Sequence, residues 1–315
     1  MKGTRRPAAL ATALLLVAIT GTAVARAQEL EARTYANLPI GLNALALGYA
    51  YSSGNTLMDP SLPIEGLDAK NHLIFVAYAR TFALLGRAAK AGVFIPATFG
   101  DWEGTIEGLP FRQTRNVGGA GDARIVFSWN FIGAPAMRPA DFAGYRQKTI
   151  VGARLQVIAP TGHYDPNRLL NLGSNRWTFV PEIGVSHRLT RWTLELSVAT
   201  WLFTNNDDFL GTTLSQEPLG TVTGHAVYHV RPGLWWALGA GYGRGGQTTV
   251  NEIPRDTKQR NRRFAAVLAI PLRPGHGLRT TLLHAIADGA GQKFDLVSLA
   301  YSYAWGKGMK REGSP

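Results

Sequence analysis

Trp177–Phe203 reads WTFVPEIGVSHRLTRWTLELSVATWLF. Trp177, Phe179, Ile183 and Val185 share one parity, and Thr178, Glu182, Gly184 and Ser186 share the other; past the short HRLTR connection, Trp192, Leu194, Leu196 and Val198 alternate with Thr193, Glu195, Ser197 and Ala199. A period of two is strand periodicity, and so short a connection between two strands is a tight hairpin turn. One face is bulky and apolar, and the other is small or polar. A soluble sandwich would put the bulky face in a shared core, whereas a transmembrane barrel would put it against lipid. Alternation alone does not choose between them.

The same period recurs along the chain, for example at Ala123, Ile125, Phe127 and Trp129, at Leu234, Trp236, Leu238 and Ala240, and at Val297, Leu299, Tyr301 and Tyr303. It predicts strands near 38–51, 69–83, 87–98, 121–133, 146–160, 175–187, 190–203, 219–230, 233–243, 260–271, 277–287 and 293–305. Connections after the first, third, fifth, seventh and ninth strands are long; those after the second, sixth and eighth are tight turns, and those near 134–145 and 272–276 are intermediate. Long and short ends that alternate describe a meander with one loop-rich and one turn-rich mouth, the plan of outer-membrane barrels. The expected fold is therefore all-β, a transmembrane antiparallel meander β-barrel of about 12 strands. Its first and last strands must pair, because hydrocarbon tolerates no open sheet edge. Both ends of the chain should then lie on the periplasmic side.

The chain opens MKGTRRPAALATALLLVAITGTAVARAQ, with basic residues, an apolar stretch from Ala9 to Val24 and the small-x-small Ala25-Arg26-Ala27. This is the form of an export signal, so residues 1–27 are expected to be removed before Gln28, leaving 28–315 as a single barrel domain in the outer membrane of a Gram-negative bacterium. The formal charge of +12 falls to about +8 once Lys2, Arg5, Arg6 and Arg26 are subtracted. The remaining basic residues are scattered and carry no nucleic-acid-binding motif. With no cysteine there are no disulfides, thiol nucleophiles or thiolate metal sites.

Two stretches are more specific than the periodicity. VGGAGDARIVFSW (Val117–Trp129) has a Gly-rich approach, an Asp and an alternating strand. APTG (Ala159–Gly162), Tyr164-Asp165 and Gly173-Ser174-Asn175 precede the strand WTFVPEIGVSH (Trp177–His187). The combination resembles the outer-membrane barrel family associated with the meta-cleavage pathway of phenol degradation. The resemblance is sharpest over 117–187, and it implies a transporter of aromatic or other hydrophobic compounds. The family pattern falls on Gly121-Asp122, on Pro160, Thr161, Gly162 and Tyr164, and on Gly173, Asn175, Trp177 and Pro181, none of which it marks as catalytic.

Candidate functional residues fall into three groups. His163, Tyr164, Asp165, Arg168 and Arg176 crowd a loop that either gathers a ligand or merely turns the chain, since Asp-Pro and Gly-Ser-Asn are turn formers. Phe111 and Phe209, with Leu57, Met58, Leu62, Ile106 and Leu109, either line an external hydrophobic vestibule or pack the loops on one another. Asp122, Arg124, Arg154, Glu182 and Glu195 share the small-polar face and are expected to form a lumenal charge belt, with Glu182 opposite both Arg154 and Glu195. The belt either braces the lumen or sets its bore. No short motif of hydrolase, nucleotide-binding or metal chemistry appears, and His225 and His229, four apart, only share one face of a strand. No cofactor or metal is expected.

The expected function is passive diffusion of small hydrophobic or aromatic solutes through a partly constricted outer-membrane channel, with outer-membrane lipid as surroundings and no nucleic-acid partner. Two alternatives stand beside it: a barrel enzyme acting on lipids or esters, for which Ser186-His187 or His284 and Asp288 supply raw material, and a structural or adhesive barrel. Nothing in the sequence speaks to oligomeric state.

Overall fold

A computed structural model of the chain describes residues 30–56, 62, 64–106, 111–288 and 290–306. The expected export signal, Leu57, Met58 and Leu109 lie outside the described residues. The strands are β1 (Leu42–Asn55), β2 (Ile64–Leu84), β3 (Arg87–Ile106), β4 (Arg112–Ala120), β5 (Arg124–Ile132), β6 (Thr149–Ile158), β7 (Thr178–Leu189), β8 (Trp192–Phe203), β9 (Asn206–Phe209), β10 (Thr212–Gln216), β11 (Leu219–Arg231), β12 (Leu234–Gly245), β13 (Thr248–Val250), β14 (Ile253–Pro254), β15 (Gln259–Arg273), β16 (His276–Ala287) and β17 (Lys293–Gly306).

Among the described residues, β1, β2, β3, β5, β6, β7, β8, β11, β12, β15, β16 and β17 form a ring in which each strand pairs antiparallel with its neighbour in the chain. The ring closes where β1 pairs with β17 from Leu42↔Gly306 to Asn55↔Lys293. The fold is a closed antiparallel barrel of 12 strands, as alternation and connection lengths together predict. β4 is not an extra stave: it continues β5 along the outer part of β3, across a break at Gly121–Ala123.

Burial reports which side of the wall each residue faces. On β1, Ala44, Ala46 and Ala50 are buried in the lumen, whereas Leu45, Leu47 and Tyr49 are exposed on the outside. Outward aromatic side chains gather at both rims. Trp192 meets Tyr228 and Trp236 with ring centroids 5.0 and 5.4 Å apart, and Tyr303 meets Trp305 at 5.5 Å, near the turn-rich mouth. Tyr49, Trp177, Phe179 and Tyr242 stand near the other. Rings with one apolar and one polar end suit the two membrane interfaces.

The tight turns all lie at one mouth, after Leu84, Leu189, Arg231 and Arg273. Leu85 and Gly86 both take positive φ there, as a type I′ hairpin turn requires, whereas Gly233 and Gly275 take it after a proline, the type II pattern. The connection near 272–276, expected to be intermediate, is as short as the other three.

The long connections differ more from expectation. Much of 101–116 is strand, because β3 and β4 run on above the rim as a paired ribbon to Thr105↔Arg112. The loops 204–218 and 246–258 fold against each other as a separate sheet ordered β14-β13-β10-β9. Short pieces of two to five residues carry too little alternation to be read individually.

Cysteines placed singly at Asp208 and Glu252 should react on intact cells with an impermeant thiol reagent, and one at Pro232 only after the outer membrane is permeabilised. Labelling at 232 with silence at 208 and 252 would invert the topology.

Candidate functional site

The turn-rich half of the lumen is occupied by the chain itself. Residues 30–41 precede β1 and run down inside the barrel, from Leu30 beside Gly241 to Gly41, whose N–H donates to the Thr81 carbonyl near the turn-rich mouth. Tyr35 lies flat on the directly paired Gly152 and Gly184, where an added Cβ would come within 2.7 and 2.2 Å of its ring. No other residue leaves that floor open. The Tyr35 hydroxyl donates to Glu182 Oε1 at 2.5 Å, and the Asn130 amide donates to the Tyr35 carbonyl at 3.1 Å. Arg33 N–H donates to Glu195 Oε2 at 2.6 Å while its guanidinium lies 5.4 Å from the Trp235 ring centre. Lys90 Nζ donates to the Thr34 carbonyl at 3.0 Å. Ala32 packs among Val227, Trp235, Ala237, Val267 and Ala269, so the segment is held by apolar burial as well as by charge.

The expected belt residues are in the wall, but not at one level. Arg154 stands opposite Glu182, with Nη1–Oε2 at 3.6 Å, and its Nη2 lies 3.6 Å from Glu31 Oε2 of the inserted segment. Glu195, expected opposite Glu182, instead faces Ser186, while Glu182 faces Ala199. The turn after Leu189 lies further along the chain than a Glu182–Glu195 pairing would need, which drops Glu195 toward the turn-rich mouth. Arg124 is opposite Ile158, four residues further out than Arg154 along β6, with its guanidinium 5.6 Å from the Phe94 ring centre. Three of the charges thus converge on residues 31–35 rather than forming one ring.

Asp122 belongs to the loop. Its Oδ1 accepts Gly162 N–H at 2.9 Å, and Oδ2 accepts Ser174 N–H at 3.0 Å and Ser174 Oγ at 2.7 Å. The backbones of Gly162 and Gly173 meet so closely that a Cβ on Gly162 would lie 2.7 Å from Gly173 Cα. One buried carboxylate therefore ties both ends of 159–177 to the wall. His163 closes the base through its backbone, donating to Ala120 and accepting from Leu172 and Gly173, while its side chain is exposed. Tyr164 Oη donates to the Asp208 carbonyl at 2.8 Å. Asp165 and Arg168 pair at 2.7 Å on the surface. Burial and the nearby Arg168 lower the Arg115 guanidinium, against the opposing pull of Asp165. Arg176 donates to Gln216 Oε1 at 2.5 Å and lies 4.8 Å from the Phe203 ring centre. These five loop residues do not converge on one cavity.

Phe209 is 8 % exposed in an apolar cluster with Leu62, Leu67, Trp102, Leu170, Leu172 and Leu214, whereas Phe111 is 66 % exposed and apart from it. A second apolar strip was not anticipated. Inside the barrel, Leu73, Phe75, Phe94, Leu283, Phe294 and Leu296 form one buried cluster across β2, β3, β16 and β17. Phe75 and Phe94 stack with centroids 5.0 Å apart. Phe94 is six residues beyond Ala88, which clusters with Tyr35, so along β3 it lies roughly 20 Å of strand further from the turn-rich mouth than that contact. Arg263 lies 5.5 Å from the Phe294 ring centre at the strip's other flank.

Ser186 faces the lumen, where Gln147 Nε2 donates to its hydroxyl at 3.1 Å, while the His187 ring is exposed outside, 2.8 Å from Thr149 Oγ1. His284 pairs with Asp295 at 2.6 Å on the outer surface, not with Asp288. Neither set assembles as a nucleophile, base and acid on one face.

The family model described as "Putative MetA-pathway of phenol degradation" matches residues 68–302. Among solved structures, the chain is similar to an outer membrane channel from Pseudomonas putida F1, with a TM-score of 0.71 and 19 % identity over 88 % of this chain and 100 % of that one. It is also similar to the transport unit of the autotransporter AIDA-I from Escherichia coli, with a TM-score of 0.50 and 7 % identity over 89 % and 94 %. At these identities the likeness is one of fold. No curated protein matches by sequence.

Asp122→Ala should leave the barrel folded, as judged by its heat-modifiable migration, yet speed proteolytic cleavage within 163–172 about tenfold or more, since each charge-assisted hydrogen bond is worth roughly 1.5–3 kcal/mol. Cleavage as slow as in the parent would show that the carboxylate does not hold the loop.

Proposed function

Because the chain belongs to the family described as "Putative MetA-pathway of phenol degradation", we propose that it is an outer-membrane channel through which small hydrophobic or aromatic solutes diffuse passively. The observation that carries this reading is the apolar strip of Leu73, Phe75, Phe94, Leu283, Phe294 and Leu296 inside the barrel. Barrel interiors are polar where they conduct water and ions. An apolar wall there would weaken permeation by hydrated ions and offer an aromatic solute a surface on which to shed water.

Beneath that wall, residues 30–38 stand between the strip and the periplasm. The hydrogen bonds of Tyr35 to Glu182 and of Arg33 to Glu195, with the ion pair of Glu31 and Arg154, make the segment the constriction of the path. The belt charges then serve transport indirectly, by holding the constriction closed. A solute moving inward must wait for the segment to give way. The two carboxylates form a seat that remains in the wall when the segment leaves.

In liposomes containing the refolded mature barrel, toluene and phenol should enter faster than in protein-free vesicles, while a sugar-sized polar solute should not. Tyr35→Ala should raise uptake of the aromatic tracers about tenfold, the factor that corresponds to roughly 1.4 kcal/mol lost from the closed state. No uptake by either protein, with both barrels correctly folded, would reject the channel; equal uptake by both would remove the segment from the path.

A further inference from the structure

The outer surface of β12 and β15 changes character at its extracellular end. Going outward, β15 presents Ile270, Leu268 and Phe264 to lipid, then Arg262 and Arg260; beside it β12 presents Leu238, then Tyr242 and Arg244. Tyr242 stands opposite Arg262, and Arg244 stands directly opposite Arg260. The arginines begin where the apolar belt and its interfacial tyrosine end, which is the level of lipid headgroups.

Like charges facing each other across a strand pair repel, so the Arg244–Arg260 juxtaposition calls for a compensating anion. Arg262 has one, since it pairs with Asp288 on the neighbouring edge. For Arg244 and Arg260 no carboxylate partner is found among the described residues. On the far side of Arg244, β11 places Gly220 opposite it. A Cβ at Gly220 would meet nothing nearer than a backbone oxygen at 3.8 Å, so the surface beside Arg244 is an open shelf. Two forked donors side by side, with a bare patch of backbone next to them at headgroup level, match a phosphate carried on a sugar, because guanidinium binds phosphate through two parallel hydrogen bonds.

We propose that Arg244 and Arg260, with Gly220 as floor and Tyr242 beneath, bind the phosphorylated saccharide headgroup of the outer-leaflet glycolipid. The inference rests on the outer-membrane reading above but not on transport. A bound phosphate would convert a repulsive pair into a bridged one and fasten the β11–β12–β15 sector of the rim to its lipid. That sector also carries the loops that build the small outer sheet. Lipid binding would thereby steady the extracellular cap.

The refolded mature barrel in detergent should unfold at a higher temperature when bisphosphorylated lipid A is added, and not with the dephosphorylated lipid or inorganic phosphate at equal concentration. The double variant R244Q/R260Q should bind lipid A about tenfold more weakly while unfolding without lipid no earlier than the parent. On the parent protein alone, raising salt from about 50 to 200 mM should weaken binding, a measurement that needs no variant. Equal stabilisation by the dephosphorylated lipid, undiminished binding by R244Q/R260Q, an effect of inorganic phosphate alone, or salt-independent binding would each overturn the site. The assay involves no solute flux, so a barrel that binds lipid A but carries no tracer rejects only the channel. One that carries tracer but ignores lipid A rejects only this site, and fractionation of whole cells tests the outer-membrane location separately.

Discussion

In hydrocarbon every backbone N–H and C=O must find a partner within the protein, because an unsatisfied group there costs several kcal/mol. A meander of strands meets that demand only by joining its ends. The 14-residue ladder between β1 and β17 is therefore the bond on which the rest depends. It fixes the parity of each stave, since a slip of one residue in any ladder would exchange its two faces. The outward leucines and inward alanines of β1 are consequences of that parity.

Closure creates a second demand, inside. A ring of 12 strands encloses more space than small side chains fill, and charges within it cannot rely on bulk water. The chain meets this demand with its own N-terminal residues. Glu31 stands beside Arg154, Arg33 N–H reaches Glu195 and Tyr35 reaches Glu182, so wall charges are matched by the segment as well as by one another. Buried ion pairs can break even against the cost of desolvation. Their value here lies in where they put Tyr35, over two facing glycines. The turn-rich half of the lumen is filled by charge pairs and apolar packing together, and the apolar strip of β2, β3, β16 and β17 stays distinct from it.

The periodic elements were legible in the sequence because alternation and loop length are properties of whole segments. All twelve predicted strands correspond to staves, with most ends moved by a few residues and β3 running on from the expected 98 to Ile106. The Arg154–Glu182 pairing followed from parity and approximate level. The Glu182–Glu195 pairing failed because register depends on where a turn is centred. Residues 30–38 have no period at all, and what marks them is indirect: Gly152 and Gly184 facing each other on the lumenal side, where something must come close. The outer sheet escaped for the same reason, its strands being too short to alternate. Asp122, placed by parity and type with the lumenal charges, serves the loop, since neither parity nor residue type tells which backbone donors a carboxylate will meet.

Its setting begins with a proline. Pro96 lies in β3 between Phe94, which pairs with Arg124, and Ala97, which pairs with Ala120, so two residues of β3 stand against Gly121, Asp122 and Ala123. Without an N–H, Pro96 cannot complete the ladder toward β5, although its carbonyl still accepts Gly121 N–H at 3.0 Å. Such a break is tolerable only where other partners exist, and the loop supplies them. Thr161 Oγ1 accepts Ala123 N–H at 2.9 Å, Ala159 N–H reaches the Ala123 carbonyl at 2.9 Å, and His163 N–H reaches that of Ala120 at 2.8 Å. The bulge aims Asp122 at Gly162 and Ser174 and fastens both ends of 159–177. With those ends fixed, Leu170 and Leu172 can join Trp102, Phe209 and Leu214 in one apolar cluster. A single missing donor in the wall is thus tied, bond by bond, to the packing of the outer mouth.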